Sequence, residues 1–130
     1  MKVETVDYKA PDARPALQRS LRDTGFAVLA NHPITSDRIN SIYDGWRAFF
    51  ASEEKFDFAV QPPRHDGYFA FRSENAKGSS VKDLKEFFHV YPDSPLPENL
   101  ARMTKAIYAD LQNLGFEILS WIQQETPDEI

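Results

Sequence analysis

Seven apolar residues, Leu100, Met103, Ile107, Leu111, Leu114, Ile118 and Ile122, recur at spacings of three and four and line one side of a single long helix. No other feature of the chain constrains its fold as strongly. A stripe that long has to be laid against other apolar surface, and its width implies a body larger than the few elements before it. The helix starts at Glu98, after Tyr91-Pro92-Asp93-Ser94-Pro95-Leu96-Pro97, which holds three of the nine prolines and reads as an extended connector. Thr126-Pro127 is its expected stop.

The upstream elements follow from the same periodicities. Val3 to Tyr8 alternates apolar and polar residues and predicts a short strand. Asp12 is placed to cap a helix running to about Asp23, with Pro15 in its first turn and Ala13, Leu17 and Leu21 on one face. Gly25 is its C-terminal stop. Phe26-Ala27-Val28-Leu29-Ala30 predicts a buried strand. Thr35 or Ser36 caps a second helix whose apolar face is Ile39, Ile42, Tyr43, Trp46, Phe49 and Phe50. Ser52-Glu53-Glu54-Lys55 predicts another cap and turn, and Gln61-Pro62-Pro63 an irregular segment. Gly67 to Phe71 and Leu84 to Tyr91 predict a hairpin-like strand pair around a polar loop, Ser73 to Ser80. The chain contains no internal repeat and no low-complexity tract. The expected fold class is therefore α/β (α+β), helices packed on a few short strands. Its expected division is 1–97 for the helix–strand–helix and aromatic pair, and 98–130 for the long helix.

Composition removes several functions. With 130 residues the chain is one compact domain in size. It has no cysteine, which removes disulfide frameworks, thiolate metal sites and cysteine nucleophiles. A net charge of −5 without a basic run disfavours nucleic acid and anionic membranes as partners. No apolar run approaches a membrane span, and Met1-Lys2-Val3-Glu4-Thr5-Val6-Asp7 lacks a signal peptide's apolar core, so the expected location is cytoplasmic.

The residues that carry chemistry are few. The histidines are His32, His65 and His89, and none has Asp or Glu two positions later, as a facial triad of two His and one carboxylate needs; no metal site is expected. His32 is read as a strand-end residue that hydrogen-bonds backbone and fixes a turn, His89 as a half-buried strand residue with a hydrogen-bonded ring, and His65 as a solvated loop residue. Glu86 interrupts an apolar strand, and its plainest role is the solvent-facing member of an alternating strand. A His65–Glu86 acid/base pair requires hydrogen-bond reach between the two. No glycine-rich phosphate loop or serine-nucleophile signature is present, and no catalytic residue is assigned.

Gly25-Phe26-Ala27-Val28-Leu29-Ala30-Asn31-His32-Pro33-Ile34 resembles the glycine–phenylalanine to asparagine–histidine segment of isopenicillin N synthase-like oxygenases. Trp46-Arg47-Ala48-Phe49-Phe50-Ala51-Ser52-Glu53-Glu54-Lys55 is similar to that family's double-phenylalanine segment, with Ala51-Ser52 where Leu-Pro is usual. Gly67-Tyr68 and Lys85-Glu86-Phe87-Phe88-His89 match two further segments, and the closing helix matches the one that precedes the catalytic barrel.

The resemblance, in order over nearly the whole chain, implies the N-terminal part of a double-stranded β-helix (jelly-roll) oxygenase whose barrel core is absent from these residues. It implies an iron(II)/2-oxoglutarate-dependent enzyme that hydroxylates, desaturates or cyclises a small molecule. Fe(II) and 2-oxoglutarate would belong to the full-length enzyme and neither to this segment. It implies substrate contacts from His65, Phe69, Glu86 and Phe88; Arg64 with His65 stands where relatives place an arginine for a substrate carboxylate, which argues against an acidic substrate, and an aromatic-walled cavity with one carboxylate would suit a small, partly apolar, cationic one. The expected partners are a small-molecule substrate, the C-terminal catalytic barrel of the same protein, and a second copy in a homodimer. The competing reading is a non-catalytic binding module that lacks the barrel. The Thr126 to Ile130 ending reads as the start of a connector.

Overall fold

The computed structural model describes residues 2–126. In chain order the elements are β1 (Thr5–Asp7), α1 (Ala13–Thr24), β2 (Val28–Ala30), α2 (Ser36–Ala51), a 3-10 turn (Glu53–Phe58), β3 (Gly67–Phe69), β4 (Phe87–His89) and α3 (Glu98–Glu125). They pack as two compact units, one from the described parts of Met1–Ile39 and Ile107–Ile130, the other from Asn40–Ala106, so α2 and α3 each contribute to both. Among the described residues the strands form two two-stranded sheets and no closed barrel. No described helix is long and apolar enough to cross a membrane.

In the first unit β1 pairs parallel with β2, with Thr5 opposite Val28, Val6 opposite Leu29 and Asp7 opposite Ala30. A parallel pair needs a crossover, and α1 supplies it. The helix lays Ala13, Ala16 and Leu17 on Val6 and Trp121, and Tyr8, Leu21, Ala27, Leu29, Ile118 and Ile122 close around this core. Buried Ser20 ties the crossover down by accepting from the Glu4 amide at 3.0 Å and donating to the Phe26 carbonyl at 2.7 Å. Gly25 ends α1 in the left-handed region, φ 77°, its amide on the Leu21 carbonyl at 2.8 Å. Asp12 occupies the N-cap position but its side chain makes no capping bond. The chain leaves β2 through Asn31, at φ 56°, a conformation its short polar side chain tolerates.

In the second unit β3 pairs antiparallel with β4, with Gly67 opposite His89, Tyr68 opposite Phe88 and Phe69 opposite Phe87. Trp46 of α2 donates its indole N–H to the buried Thr104 hydroxyl of α3 at 3.2 Å. Phe49, Tyr68 and Leu100 are nearly inaccessible to solvent.

Several expectations need correction. Phe26–Ala30 is not a buried strand among these residues: only Val28–Ala30 is extended, and Phe26 and Val28 remain 70% and 53% exposed. The stripe on α3 is not continuous either. Leu100 is buried, but Leu111 is 55% exposed, and Trp121 carries the burial in the first unit. Tyr108, Leu111 and Leu119 fall on one exposed side of that helix by its 3.6-residue period.

Candidate functional site

The β3–β4 sheet concentrates the aromatic residues, and its register divides them between two faces, because directly opposed residues point the same way and neighbours point oppositely. Tyr68 and Phe88 share the inner face. The Phe88 ring lies 4.9 Å from Trp46, 5.7 Å from Phe49 and 6.2 Å from Phe58, centroid to centroid, so this face is filled by α2 and the 3-10 turn. Phe69 and Phe87 share the other face and stack at 4.6 Å with 10° between their planes. His89 tilts onto both, 4.9 Å and 4.7 Å away, and the Lys85 ammonium sits 4.8 Å over the Phe87 ring.

A polar cluster locks the inner face. The Tyr68 hydroxyl donates to Glu86 Oε2 at 2.6 Å, and Lys55 Nζ donates to the same oxygen at 3.0 Å and to the Phe50 carbonyl at 2.7 Å. The phenol's hydrogen bond, then the Lys55 ammonium, hold the Glu86 carboxyl below its usual range against the effect of burial. Burial and the facing carboxylate push the Tyr68 phenol up. The hydrogen bond to Glu86 raises Lys55, which therefore stays cationic.

A second cluster fixes the turn into β3. Arg64 grips Asp66 through Nε–Oδ1 at 2.7 Å and Nη2–Oδ2 at 2.5 Å. That bidentate grip, followed by Ser94, holds the buried Asp66 carboxyl far below the ordinary carboxylate range. Ser94 also accepts from the Tyr91 amide at 2.8 Å, which shapes the proline-rich connector. Gly67 is required here: at φ 103°, an added Cβ would meet the Phe58 carbonyl oxygen at 2.6 Å.

The four residues nominated for substrate contact are therefore not brought to one face. Phe69 lies on the outer face; Phe88 lies on the inner face with Glu86 bonded beneath it; His65 is exposed in the preceding loop. Glu86 is not a free carboxylate facing solvent, since Lys55 and Tyr68 occupy it, and the basis for a cationic substrate goes with it. Arg64 is committed to Asp66 and is not free to hold a substrate carboxylate. His65 and Glu86 form no acid/base pair; His65 offers its carbonyl to His89 Nδ1 at 3.1 Å. His89 keeps the expected ring bond but is exposed rather than half-buried. His32 does not fix its turn by Nδ1, which is buried without a hydrogen-bond partner among the described residues. Sequence reasoning missed the convergence of Lys55 and Tyr68 on Glu86 and the stacking of Phe87 on Phe69. The signal available for Tyr68 was its place beside the obligatory Gly67.

Among the described residues no three His, Asp or Glu side chains converge as metal donors. Asp66, next to His65 in sequence, is held by Arg64. The described residues therefore offer no ready-made donor set for an iron ion.

The family profile "non-haem dioxygenase in morphine synthesis N-terminal" matches residues 4–113. A protein from Shewanella oneidensis assigned as an oxygenase has a solved structure similar to this chain, with 43% identity, a TM-score of 0.88, and 99% of this chain and 45% of that one covered. A Caulobacter crescentus protein assigned to the 2OG-Fe(II) oxygenase family is similar over 94% of this chain and 48% of its own, with 26% identity and a TM-score of 0.70. This chain thus spans less than half the length of either. No curated protein sequence matches it.

Proposed function

The chain belongs to the non-haem dioxygenase N-terminal family, and from that premise we propose that it is the N-terminal part of an iron(II)/2-oxoglutarate-dependent oxygenase acting on a small molecule by hydroxylation, desaturation or cyclisation. The observation that carries this reading is the family match over residues 4–113 in a chain covering under half of its structural relatives. The exposed side of α3 bearing Tyr108, Leu111 and Leu119 supports it, since a monomer rarely leaves such a surface uncovered. That surface suits the C-terminal catalytic jelly-roll barrel of the same protein.

Iron(II) and 2-oxoglutarate, held by that barrel, supply the oxidising chemistry. The role of this segment is to shape the pocket, orient the substrate and exclude water. Its wall is the outer face of β3–β4, with Phe69 as the substrate contact and the exposed His65 at the rim. Glu86 and Phe88 act on the pocket from behind, by fixing the sheet on α2 and the 3-10 turn. The wall suits a flat or apolar substrate, because its rings offer apolar area and no uncommitted carboxylate.

The test is succinate formation from 2-oxoglutarate by the full-length protein with iron(II), across a panel of small aromatic and aliphatic compounds. Compound-stimulated turnover that weakens in the Phe69→Ala protein supports the reading; turnover indifferent to Phe69 overturns the assignment of the wall.

A further inference from the structure

His89 has one ring nitrogen committed and one open. Its Nδ1 lies 3.1 Å from the His65 carbonyl oxygen. A carbonyl only accepts, so Nδ1 carries the hydrogen and donates it. In the neutral ring the other nitrogen, Nε2, then holds a lone pair and acts as an acceptor. Nε2 makes no hydrogen bond among the described residues, and the side chain is exposed.

The neighbours of the ring define what can use that lone pair. The imidazole tilts onto Phe69 and Phe87, 4.9 Å and 4.7 Å away, and Gly67, directly opposite His89, sets no side chain across the strand pair. Phe87 is engaged by the Phe69 stack and by the Lys85 ammonium 4.8 Å over its ring. Lys85 lies in turn 3.3 Å from Asp83 and 3.8 Å from Glu74, so that end of the face holds no uncommitted cation for an anionic ligand. The other end sets an apolar ring beside a neutral acceptor. A flat compound lying on Phe69 meets His89 Nε2 at its edge. An N–H or O–H at that edge makes a hydrogen bond, whereas an acceptor atom there opposes lone pair to lone pair.

We propose that His89 is the specificity-determining residue of this wall: through Nε2 it selects compounds whose flat or apolar part carries an adjoining N–H or O–H donor. The inference rests on the reading of the outer face as the pocket wall, and it adds the chemical feature that the substrate presents to it.

Indole and benzofuran test it on the full-length protein in mildly alkaline buffer. The two bicycles have nearly the same shape, but indole carries an N–H donor where benzofuran carries an ether oxygen. The imidazole nitrogen resonances of His89 are expected to show the Nδ1–H form. Indole should shift the Nε2 resonance saturably and bind about three- to tenfold more tightly than benzofuran, the range of one neutral hydrogen bond. His89→Asn keeps a donor for the His65 carbonyl and lacks the second nitrogen. It should keep the melting temperature and lose the preference, and His89→Gln, whose amide oxygen reaches further out, should restore part of it. An Nε2–H form, no shift with indole, or equal affinities in the parent each overturn the proposal, even where a variant fails to fold. A preference that survives in His89→Asn overturns it as well and leaves His89 only the tie to the His65 loop. Failure of the oxygenase reading is separate, since it shows as absent succinate formation, which none of these nitrogen shifts measures.

Discussion

Tyr68 donates its hydroxyl to the Glu86 carboxylate across 2.6 Å, joining β3 to the residue that leads into β4, and Lys55 from the 3-10 turn closes the cluster on the same oxygen. Three segments distant in sequence are thereby tied at one atom. Tyr68→Phe keeps the ring packing and removes the bond, so it is expected to cost about 1.5–3 kcal/mol, the range for a bond to a charged acceptor. Denaturant midpoints of the full-length variant and its parent check this; equal midpoints would mean the bond does not hold the sheet.

The two depressed carboxylates set the acid response. Arg64 lowers Asp66 from 3.8, and Tyr68 with Lys55 lowers Glu86 from 4.5. Their folded-state values lie below the unfolded ones, so the stabilisation they give is complete above these ordinary values and is lost as pH falls from them through the lower folded-state values. Lys55 works in the other direction: raised from 10.5, its contribution is present below that value and is lost as pH rises through the folded-state value. Melting temperature measured downward from pH 6 should fall more steeply for the parent than for Asp66→Asn. Parallel curves would show that Asp66 is not coupled to folding.

Two glycines at positive φ separate conformational strain from crowding. Gly25 is at φ 77° with nothing within 4 Å of an added Cβ, so Gly25→Ala should cost only about 1–2 kcal/mol, the left-handed penalty. Gly67 is at φ 103° and would set its Cβ 2.6 Å from the Phe58 carbonyl oxygen, backbone that cannot swing aside. Gly67→Ala should therefore destabilise clearly more than Gly25→Ala, and thermal unfolding of the two variants decides.

The two faces of β3–β4 predict a split between stability and affinity. Phe88→Ala empties a site among Trp46, Phe49 and Phe58 and should cost about 3 kcal/mol with little effect on KM in the protein that remains folded. Phe69→Ala should raise KM severalfold and leave the melting temperature nearly unchanged. A Phe88 variant with parental stability and raised KM would exchange the roles of the two faces.

The helices were legible in the sequence because their signals are local. The 3.6-residue spacing placed α1, α2 and α3, and Gly25 ended α1 where expected. The strand pair around Gly67-Tyr68 was legible too, but its register was not. Register depends on the partner strand, and a slip of one residue exchanges faces, so the sequence alone does not say that Phe88 lies opposite Tyr68 while Phe69 lies opposite Phe87. Glu86 was misread for a related reason. Lys55 lies thirty-one positions away, and nothing local to Glu86 announces it. The apolar run 26–30 was read as buried because its composition is that of a central strand, and these residues by themselves provide it with one neighbour only.

The central claim is that these residues form the front of an iron(II)/2-oxoglutarate oxygenase. The most direct measurement is the intact mass of the native protein together with its iron(II) stoichiometry. A chain well beyond 130 residues that binds one iron per molecule agrees with the account. A native chain of 130 residues that binds none contradicts it.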